Sequence, residues 1–496
     1  MTDMRDDSAP AIPTFCVIGQ PNQGKTTLMS TLIENDFLAV SPIPGTTTNA
    51  TEYPRIIDGE RVMTLWDTPG FENTKKAHAW FEDHSELPNP AADFIERFKN
   101  EREFRAECEV FKPIAEGAAI IYIVDASQKV RTTDKEQVDI LRRCGNPRIA
   151  VIFSKDGKDQ HYEEWRRLLT RDFNHRHAFN AHTAKFEDKI NLLKAVRTII
   201  PEWQKAMDRT INALEHNWRA KENEAIDCVM KLIKSLLSVK AELAIDQYEE
   251  RDRIQQRVED NLREKVLELE NKYRKTIREV YGHSQDYWIL DSLVVDDLFS
   301  EEVWKTLGMT RSQLMWFGAS VGAASGLTID VLTGGAAMGV PTALLTVGGA
   351  GFAYLNADRF AAITLPPLFR GGGRIAGIPI PEISPKKRTL GGGVATAQVA
   401  PQSKLVGIVL DRALIYLSQT RDWAHGNRIA GQVKVEGDES SPMLTRNWPQ
   451  TEQKALGTFV GCVSGKITDR DRIEESAVKM REVIREKLSE SQSDQD

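Results

Sequence analysis

The sequence contains few cysteines, and their spacing pairs none of them. Five cysteines are scattered over 496 residues without a CxxC motif. The chain also begins without an apolar secretory segment, because its first residues, MTDMRDDSAPAIP, are acidic and contain proline. A scattered, odd set of thiols without a secretory signal is typical of a reducing compartment. We therefore expect a cytoplasmic protein with reduced thiols.

A surplus of positive charge is absent as well. Lys and Arg number 65 against 72 Asp and Glu, which gives a formal net charge of -7. Proteins that bind nucleic acid usually present a basic surface. The overall balance therefore gives no reason to expect a nucleic-acid partner, although a local basic patch would not be visible in it.

A glycine-rich motif follows the first buried strand. Residues 19–26 read GQPNQGKT, between the apolar run 15–19 and a predicted helix over 25–34. In such a strand–loop–helix arrangement, backbone N–H groups and the helix N-terminus face phosphate oxygens. Lys25 can then reach the β- and γ-phosphates, and the Thr26 hydroxyl can bind Mg²⁺. The predicted nucleotide contacts of this loop are Gly19, Gln20, Pro21, Asn22, Gln23, Gly24, Lys25, Thr26 and Thr27.

A second motif, DTPG, ends another apolar strand further along the chain. Asp67 is placed to hold Mg²⁺, directly or through water, while the N–H of Gly70 can contact a γ-phosphate. Between the two motifs, residues 41–54 (SPIPGTTTNATEYP) are polar and rich in threonine. A loop of this composition can fold over the metal and contribute one hydroxyl. Together the three segments predict a site for a nucleoside triphosphate with Mg²⁺.

Apolar runs alternate with helical patterns as far as residue 200. Strands are expected over 61–67, 118–125, 148–154 and, more weakly, 177–181. Strands that alternate with helices predict a mostly parallel sheet with helices on both faces. The expected fold class is therefore α/β with a mostly parallel sheet that carries the phosphate-binding loop, followed by a mainly helical region and a small mixed C-terminal region. The predicted domains are residues 13–200, 201–308, 309–365 and 366–490.

The stretch from 202 to 280 is highly charged and nearly free of glycine and proline. Within 251–281, apolar residues recur three and four positions apart, which gives one apolar stripe on a long helix. A long helical hairpin or coiled-coil stalk is one interpretation of this region. A layer of an ordinary helical bundle is the other.

Residues 314–355 form a long apolar segment with one charge, Asp330. Gly318, Gly322 and Gly326 are four residues apart and would place bare backbone on one helix face, which is typical of packed membrane helices. Basic residues flank both ends, and that fits a hairpin with both ends in the cytoplasm. The segment is therefore interpreted as a helical hairpin inserted in a membrane. The alternative is a buried, glycine-rich helix pair inside a soluble domain.

The order of the phosphate loop, PGTTT, DTPGF and VDAS resembles that of the small GTPases of the Era, EngA and MnmE (TrmE) group. The resemblance covers about residues 13–200, the predicted G domain. It implies binding of GTP and GDP with Mg²⁺. It also implies that Thr47 is the switch I threonine, which completes the metal site with Thr26 and Asp67.

The whole chain also resembles a bacterial family in which a G domain precedes a C-terminal domain of unknown function. The matching features are a long insertion after DTPGF (AWFEDH to ECEVFKPIAEGA), FNAH near residue 180 and LDRAL at 410. For the G domain, the resemblance to GTPases implies hydrolysis with Lys25, Thr47 and Gly70 as catalytic residues.

Two positions depart from the GTPase pattern. Where the group reads guanine with NKxD, this chain has FSKDGKD, so Ser154 stands for the asparagine and Gly157 for the aspartate. The candidate base contacts are Ser154, Lys155 and Asp156, and ATP or relaxed base specificity is the alternative to GTP. Phe71 follows DTPG in place of the glutamine that orients the attacking water in Ras-like proteins, which predicts slow intrinsic hydrolysis.

One position of the loop agrees with a subgroup of these GTPases. Asn22 matches the asparagine that potassium-activated members of the group use as an ion ligand. A K⁺ ion beside the β- and γ-phosphates would supply the charge that an arginine finger gives elsewhere. A side chain that only stabilises the loop is the alternative for Asn22.

These features predict a GTP-binding switch with slow, K⁺-stimulated hydrolysis, coupled to a helical, membrane-associated C-terminal region. The expected partners are membrane lipid or a membrane protein, and a second copy of the chain through the G domain or the helical region. The expected location is the cytoplasm, at the inner face of the cytoplasmic membrane. A nucleotide-binding switch without hydrolysis and an RNA- or ribosome-associated GTPase are the alternatives.

Overall fold

A computed structural model describes most of the first 283 residues and parts of the remainder. The described ranges are 12–20, 23–34, 48–84, 86–154, 159–181, 183–245, 251–283, 315–321, 328–329, 374–375, 378–379, 393–399, 403–425 and 445–493. Five of the predicted site residues lie outside them: Pro21, Asn22, Thr47, Lys155 and Asp156.

The N-terminal part of the chain builds a six-stranded sheet. Its strands are β1 (Thr14–Ile18), β2 (Thr51–Ile57), β3 (Glu60–Asp67), β4 (Ala119–Asp125), β5 (Arg148–Phe153) and β6 (His175–Ala178). The strand order is β2-β3-β1-β4-β5-β6. All neighbouring pairs are parallel except β2 and β3, which form an antiparallel hairpin. This arrangement confirms the predicted mostly parallel sheet.

Helices cover both faces of this sheet. They are α1 (Lys25–Ile33), α2 (Thr74–Asp83), α3 (Pro90–Phe98), α4 (Arg105–Ala115), α5 (Thr132–Arg143), α6 (Tyr162–Asp172) and α7 (Phe186–Ile199). Alternate residues of β1 serve the two cores: Phe15 and Val17 belong to one buried cluster, and Cys16 and Ile18 to the other. This alternation follows from the two-residue period of a strand. Central strand β4 is buried at all seven positions because both of its faces are covered.

The insertion after DTPGF folds into α2, α3 and α4 around an aromatic cluster. The sequence predicts one helix over 90–116, whereas the structure breaks it into α3, a short turn of 3₁₀ helix at Arg102–Phe104, and α4. The break lets Phe94 meet Phe104 at 5.5 Å and Phe111 at 5.0 Å between ring centroids. Aromatic burial of this kind stabilises the broken form over a straight helix.

The described residues beyond 200 are mainly helical. The helices are α8 (Gln204–Ser238), α9 (Arg251–Tyr281), α10 (Ser403–Asp422), α11 (Gln450–Val463) and α12 (Arg470–Ser493). An antiparallel sheet of order β7-β12-β8-β9 accompanies them, with strands β7 (Lys240–Ile245), β8 (Met315–Val321), β9 (Thr328–Ile329) and β12 (Gly393–Val399). Strands β10 (Arg374–Ile375) and β11 (Ile378–Pro379) pair with each other. The predicted helical region followed by a mixed region is thus confirmed.

Helix α9 packs against α10. The apolar stripe read from the sequence is the buried face of α9, since Val258, Leu262 and Ile277 are each almost wholly buried. The hydroxyl of Tyr273 donates to the Ala413 carbonyl of α10 at 2.7 Å. This packing agrees with the bundle interpretation of the stripe.

Part of the predicted apolar helical hairpin is a strand. Residues Met315–Val321 pair on one side with Gly393–Val399 and on the other with Thr328–Ile329, so the helical expectation is wrong at these positions. Aromatic and β-branched residues favour strands, and glycine weakens a helix. No helix within the described ranges has the length and apolar character needed to cross a membrane. Most of residues 309–365 lie outside those ranges.

The chain divides into two compact units. Among the described residues, the first unit contains the six-stranded sheet with its helices, α8 as far as Glu224, and short pieces that begin at Arg278 and Gln419. The second contains the rest of α8, most of α9 and α10, the antiparallel sheet, α11 and α12. The first unit therefore extends past residue 200, the predicted end of the G domain.

Candidate nucleotide-binding site

Two glycines shape the loop between β1 and α1. A Cβ atom on Gly19 would lie 2.6 Å from the carbonyl oxygen of Ile123 and 2.8 Å from its Cγ2, so only glycine fits there. Gly24 precedes α1 with a φ of 76°, in the left-handed region that disfavours side chains. The chain can therefore turn tightly from the strand into the helix, which leaves the N-terminus of α1 facing the loop.

Two glutamines close the loop. The backbone N–H of Gln20 donates to Gln23 Oε1 at 2.9 Å, and the Gln23 N–H donates to the Gln20 carbonyl at 3.3 Å. The Gln20 amide also donates to Asp134 Oδ1 at 3.1 Å, at the start of α5. These contacts fix Gln20 and Gln23 relative to each other and to the start of α5. The sequence motif alone assigns the two glutamines to the nucleotide and carries no signal for Asp134.

Lys25 lies along the loop with its ammonium at two carbonyl groups. Its Nζ donates to the carbonyl oxygens of Gly19 at 3.0 Å and Gln20 at 3.1 Å. Burial lowers the pKa of Lys25 to about 8, although the carboxylate of Asp67 opposes this shift. The cation therefore lies inside the loop, where a phosphate group of a ligand would bind.

Thr26 and Asp67 come together at the carboxyl edge of the sheet. Parallel pairing aligns Asp67 of β3 with Val17 of β1, and the Thr68 hydroxyl donates to the Val17 carbonyl at 2.7 Å. Thr26 Oγ1 then lies 3.4 Å from Asp67 Oδ2. A hydroxyl and a carboxylate oxygen are the hard donors that Mg²⁺ takes in proteins, so this pair fits the ion.

The predicted positions after DTPG and β5 lie at the same edge of the sheet. Gly70 follows β3, and the next residue, Phe71, is buried with its ring 5.7 Å from that of Phe111. Ser154 follows β5, and the preceding Phe153 lies 3.6 Å from where a Gly24 side chain would begin. Phe71 is thus a core residue and does not face the solvent side of the site.

Hydrogen bonds connect six described members of the predicted site within the loop or across to β3: Gly19, Gln20, Gln23, Lys25, Thr26 and Asp67. Gly24 precedes α1, Gly70 follows β3 and Ser154 follows β5. Thr27 is 5% exposed. It lies in the first turn of α1. Glu107 was missed by sequence reasoning: it binds the backbone after Phe71 from helix α4, and no motif marks it.

A buried charge cluster lies at the opposite end of α1. Glu34 ends the helix and its carboxylate lies 2.8 Å from Arg55, 3.1 Å from Lys189 and 2.7 Å from Lys221. Burial alone would raise the pKa of Glu34, but these three cations, with His425 nearby, hold it well below its usual range. The helix that begins at the phosphate loop is thus fixed at its far end by charges from β2, α7 and α8.

Two family models match the chain. Residues 166–487 match the family described as "Domain of unknown function (DUF3482)", which is more than half of the chain. The chain belongs to the DUF3482 family. Residues 14–155 of this DUF3482 protein match the family described as "50S ribosome-binding GTPase". With the loop geometry and strand order, this match identifies the N-terminal part as a P-loop GTPase domain.

Curated relatives of the DUF3482 protein include two kinds of GTPase. "GTPase Der" of Thermotoga petrophila is 25% identical over 161 residues, which is 32% of this chain and 32% of the relative. "tRNA modification GTPase MnmE" of Pseudothermotoga lettingae is 30% identical over 143 residues, which is 29% of this chain and 26% of the relative. The chain therefore spans a third or less of the length of these curated relatives.

Solved structures with some likeness include two of Era and one of NFeoB. Aquifex aeolicus Era bound to GDP·AlF₄⁻ has a TM-score of 0.28 at 17% identity, over 55% of this chain and 90% of Era. Era with MgGDPNP and nucleotides 1506-1542 of 16S ribosomal RNA has a TM-score of 0.28 at 16% identity, with the same coverage. mGMPPNP-bound NFeoB from S. thermophilus has a TM-score of 0.23 at 16% identity, over 44% of this chain and 70% of NFeoB. These scores are low, so the fold assignment depends on the strand order and the family models.

Proposed function

We propose that this chain hydrolyses GTP in the presence of Mg²⁺ and uses the bound nucleotide as a switch. The observation that supports this most directly is the approach of Thr26 Oγ1 to Asp67 Oδ2 at 3.4 Å, beside the buried ammonium of Lys25. A cation and a pair of hard oxygen donors at the N-terminus of a helix are what a triphosphate with its metal requires.

Each residue has a distinct part in this proposal. Lys25 neutralises charge on the β- and γ-phosphates as the terminal P–O bond breaks, and the loop N–H groups hold the α- and β-phosphates. Thr26 and Asp67 hold the metal, Thr47 completes its ligands, and the N–H of Gly70 contacts the γ-phosphate. A Mg²⁺ ion held by Thr26 and Asp67 would offset the negative charge that develops on the phosphates.

Hydrolysis in this proposal is slow. The residue after Gly70 is Phe71, and its ring is buried 5.7 Å from Phe111. A buried phenyl ring can neither accept from nor donate to the attacking water, so water must be positioned by another group or remain poorly placed. We further propose that K⁺ bound by Asn22 stimulates the reaction.

Guanine is the proposed base. Ser154, at the end of β5, lies at the edge of the sheet next to the phosphate loop, as a base-contact segment requires. We assign the base contacts to Ser154, Lys155 and Asp156. Competition of ATP against labelled GTP tests this assignment, and equal affinity for the two would overturn it.

The proposal extends to the rest of the chain. We propose that the domains are residues 13–200, 201–308, 309–365 and 366–490, and that the C-terminal part responds to the nucleotide. Contacts from Lys189 and Lys221 to Glu34 support the response, because they join α7 and α8 to the helix that follows the phosphate loop. Association of residues 309–365 with membrane lipid or a membrane protein, and pairing of two chains, are finer parts of the same proposal.

Single-turnover hydrolysis of GTP by the whole chain is the test. Rates are measured with and without Mg²⁺, in K⁺ and in Na⁺, and with or without vesicles of anionic lipid. Turnover that requires Mg²⁺ and rises in K⁺ supports the proposal. Tight GTP binding without hydrolysis under all of these conditions would instead favour a switch that binds the nucleotide without hydrolysing it.

A ribosome-associated role is the second candidate, because residues 14–155 match a family described as ribosome-binding. Sedimentation of the chain with purified ribosomal subunits, in GDP and in a GTP analogue at several salt concentrations, decides between this role and the membrane role. Nucleotide-dependent cosedimentation would favour the ribosome.

A further inference from the structure

Helix α4 belongs to the insertion that follows DTPGF, and its buried carboxylate binds the segment after Gly70. Glu107 is fully buried, and its Oε1 accepts hydrogen bonds from the backbone N–H groups of Glu72 at 2.8 Å and Asn73 at 2.5 Å. Asn73 also donates its side-chain amide to the Glu103 carbonyl at 2.7 Å. Burial raises the pKa of the Glu107 carboxyl, and the two N–H groups oppose this shift.

The same face of α4 also packs against Phe71, the residue just before the segment that Glu107 binds. Phe111 lies four residues after Glu107, and residues four apart share one face of a helix. Its ring packs against the ring of Phe71, and both are buried. Helix α4 therefore fixes both the Phe71 side chain and the backbone that follows it.

The opposite face of α4 binds the chain just after the predicted switch I threonine. The N–H of Ala50 donates to Glu109 Oε2 at 2.8 Å, and Arg105 donates to Asn49 Oδ1 at 3.2 Å. A step of two residues turns an α-helix by about 200°, so Arg105 and Glu109 point away from Glu107. Helix α4 thus lies between the two segments and has hydrogen bonds to each.

We propose that α4 acts as a built-in positioning helix for hydrolysis, in which Glu107 holds the segment after DTPG and Glu109 holds the end of switch I. This inference rests on the proposed GTP hydrolysis. In GTPases these two segments become ordered on the γ-phosphate and its metal. One helix bound to both makes the position of each depend on the other, and it sets the direction of the Gly70 N–H through the backbone that Glu107 holds.

The test compares Glu107→Ala, Glu107→Gln and Glu109→Ala with the wild-type chain. Glu116→Ala is the matched control, because Glu116 is an exposed carboxylate at the end of the same helix. Steady-state GTP hydrolysis gives kcat and KM for each. Amide hydrogen exchange in a GTP analogue gives the protection of Glu72, Asn73 and Ala50 without any need for turnover.

For Glu107→Ala we expect kcat to fall about tenfold to a hundredfold with little change in KM, since misplaced groups lose rate more than affinity. Glu107→Gln retains an acceptor oxygen and should restore most of the rate. The N–H groups of Glu72 and Asn73 should exchange faster in Glu107→Ala, and that of Ala50 in Glu109→Ala. Glu109 is only partly buried, so its variant tests the inference even where Glu107→Ala unfolds.

Wild-type exchange at Glu72, Asn73 and Ala50 in the folded variants overturns the inference. A large rise in KM together with a fall in kcat in both Glu107 variants also overturns the inference, because this result marks a purely structural role. A wild-type chain that binds GTP without hydrolysing it refutes the proposed function instead. In that case faster exchange in the variants still supports the positioning role, and unchanged exchange overturns it.

Discussion

Lys221 Nζ lies 2.7 Å from Glu34 Oε2, and this ion pair joins α8 to the residue that caps the C-terminus of the phosphate-loop helix α1. Glu34 belongs to the region that matches the GTPase family, and Lys221 to the region that matches DUF3482. One carboxylate here serves three cations. Each cation is stabilised by one shared carboxylate, whereas the carboxylate is stabilised by three cations. Burial lowers the pKa of Lys189 despite its contact with Glu34.

Lys221→Met should destabilise the folded chain and weaken the link between α1 and α8. Arg55 and Lys189 remain on Glu34, so the loss should be smaller than the ~3–5 kcal/mol expected when a buried charge loses its sole partner. Glu34→Gln should cost more, because three buried cations then share no anion. Urea unfolding measures both, with Lys231→Met on the exposed side of α8 as the control. A loss in Lys221→Met no greater than that of the control would contradict the expectation.

Stability should decrease on acidification because of Glu34. The pKa of Glu34 in the folded chain is well below its usual value, so the unfolded chain binds the proton more tightly. The contribution of Glu34 is complete above the ordinary Glu pKa of about 4.3 and is lost as the pH falls from there toward the folded pKa. Unfolding free energies measured between about pH 6 and pH 3 should show this decrease, and Glu34→Gln should reduce it. Identical pH profiles of the two proteins would exclude Glu34 as the source.

Lys25→Ala should abolish tight GTP binding without lowering the stability of the nucleotide-free chain. The loss of a buried cation from the phosphates should weaken affinity by at least about a hundredfold, or ~2.7 kcal/mol. Burial lowers the pKa of Lys25, so its charged form is disfavoured at this position and its removal relieves that cost. Calorimetric titration with GTP and thermal unfolding check the two halves separately. Exposed Lys75→Ala on α2 is the control and should leave both unchanged.

Gly19→Ala should disrupt the loop. Its Cβ would lie 2.6 Å from the Ile123 carbonyl oxygen, a backbone atom that cannot move away alone. We expect lower nucleotide affinity together with a lower unfolding temperature. Gly457→Ala is the contrasting change, because Gly457 lies within α11 with nothing near its Cβ position. It should stabilise the chain by about 0.5–1 kcal/mol. A Gly19→Ala protein with wild-type affinity and stability would show that the loop adapts.

Phe71→Gln should not produce fast hydrolysis. Phe71 is 6% exposed and packs against Phe111, so a glutamine there places an amide in an apolar cluster. We expect destabilisation of about 3–5 kcal/mol and no gain in kcat. Unfolding and single-turnover assays of the same preparation measure this. A rise in kcat in a folded variant would mean that the side chain can leave the core and reach the site.

The parts of the site that sequence predicts well are local. Strand, loop and helix follow one another within residues 14–34, and DTPG ends a strand that pairs with β1, so Lys25 and Asp67 could be placed from periodicity and motif. Lys221 lies far from Glu34 in sequence, and a lysine on a highly charged helix gives no sequence signal for the residue with which it pairs. Glu107 is similar, because its charge in an amphipathic helix predicts exposure whereas the fold buries it.

Small residues explain the main error. Met315–Val321 contains Gly318, the first of three glycines spaced as in a close helix pair, but small residues also allow close strand pairing. Whether this segment becomes a helix or a strand depends on the availability of another strand to pair with. Gly393–Val399 supplies that strand from a distant part of the chain. Asn22, Thr47, Lys155 and Asp156 lie outside the described ranges, and their roles stay predictions.

The position of Lys25 has a consequence for ligand selection. Its ammonium has two carbonyl acceptors, on Gly19 and Gln20. A ligand must compete with these acceptors for the ammonium, and a single phosphate offers little advantage over two peptide oxygens. Adjacent β- and γ-phosphates offer several anionic oxygens and can replace the two carbonyl groups as acceptors. The loop's own carbonyl groups thus compete with a ligand for Lys25, and that competition favours ligands of high negative charge.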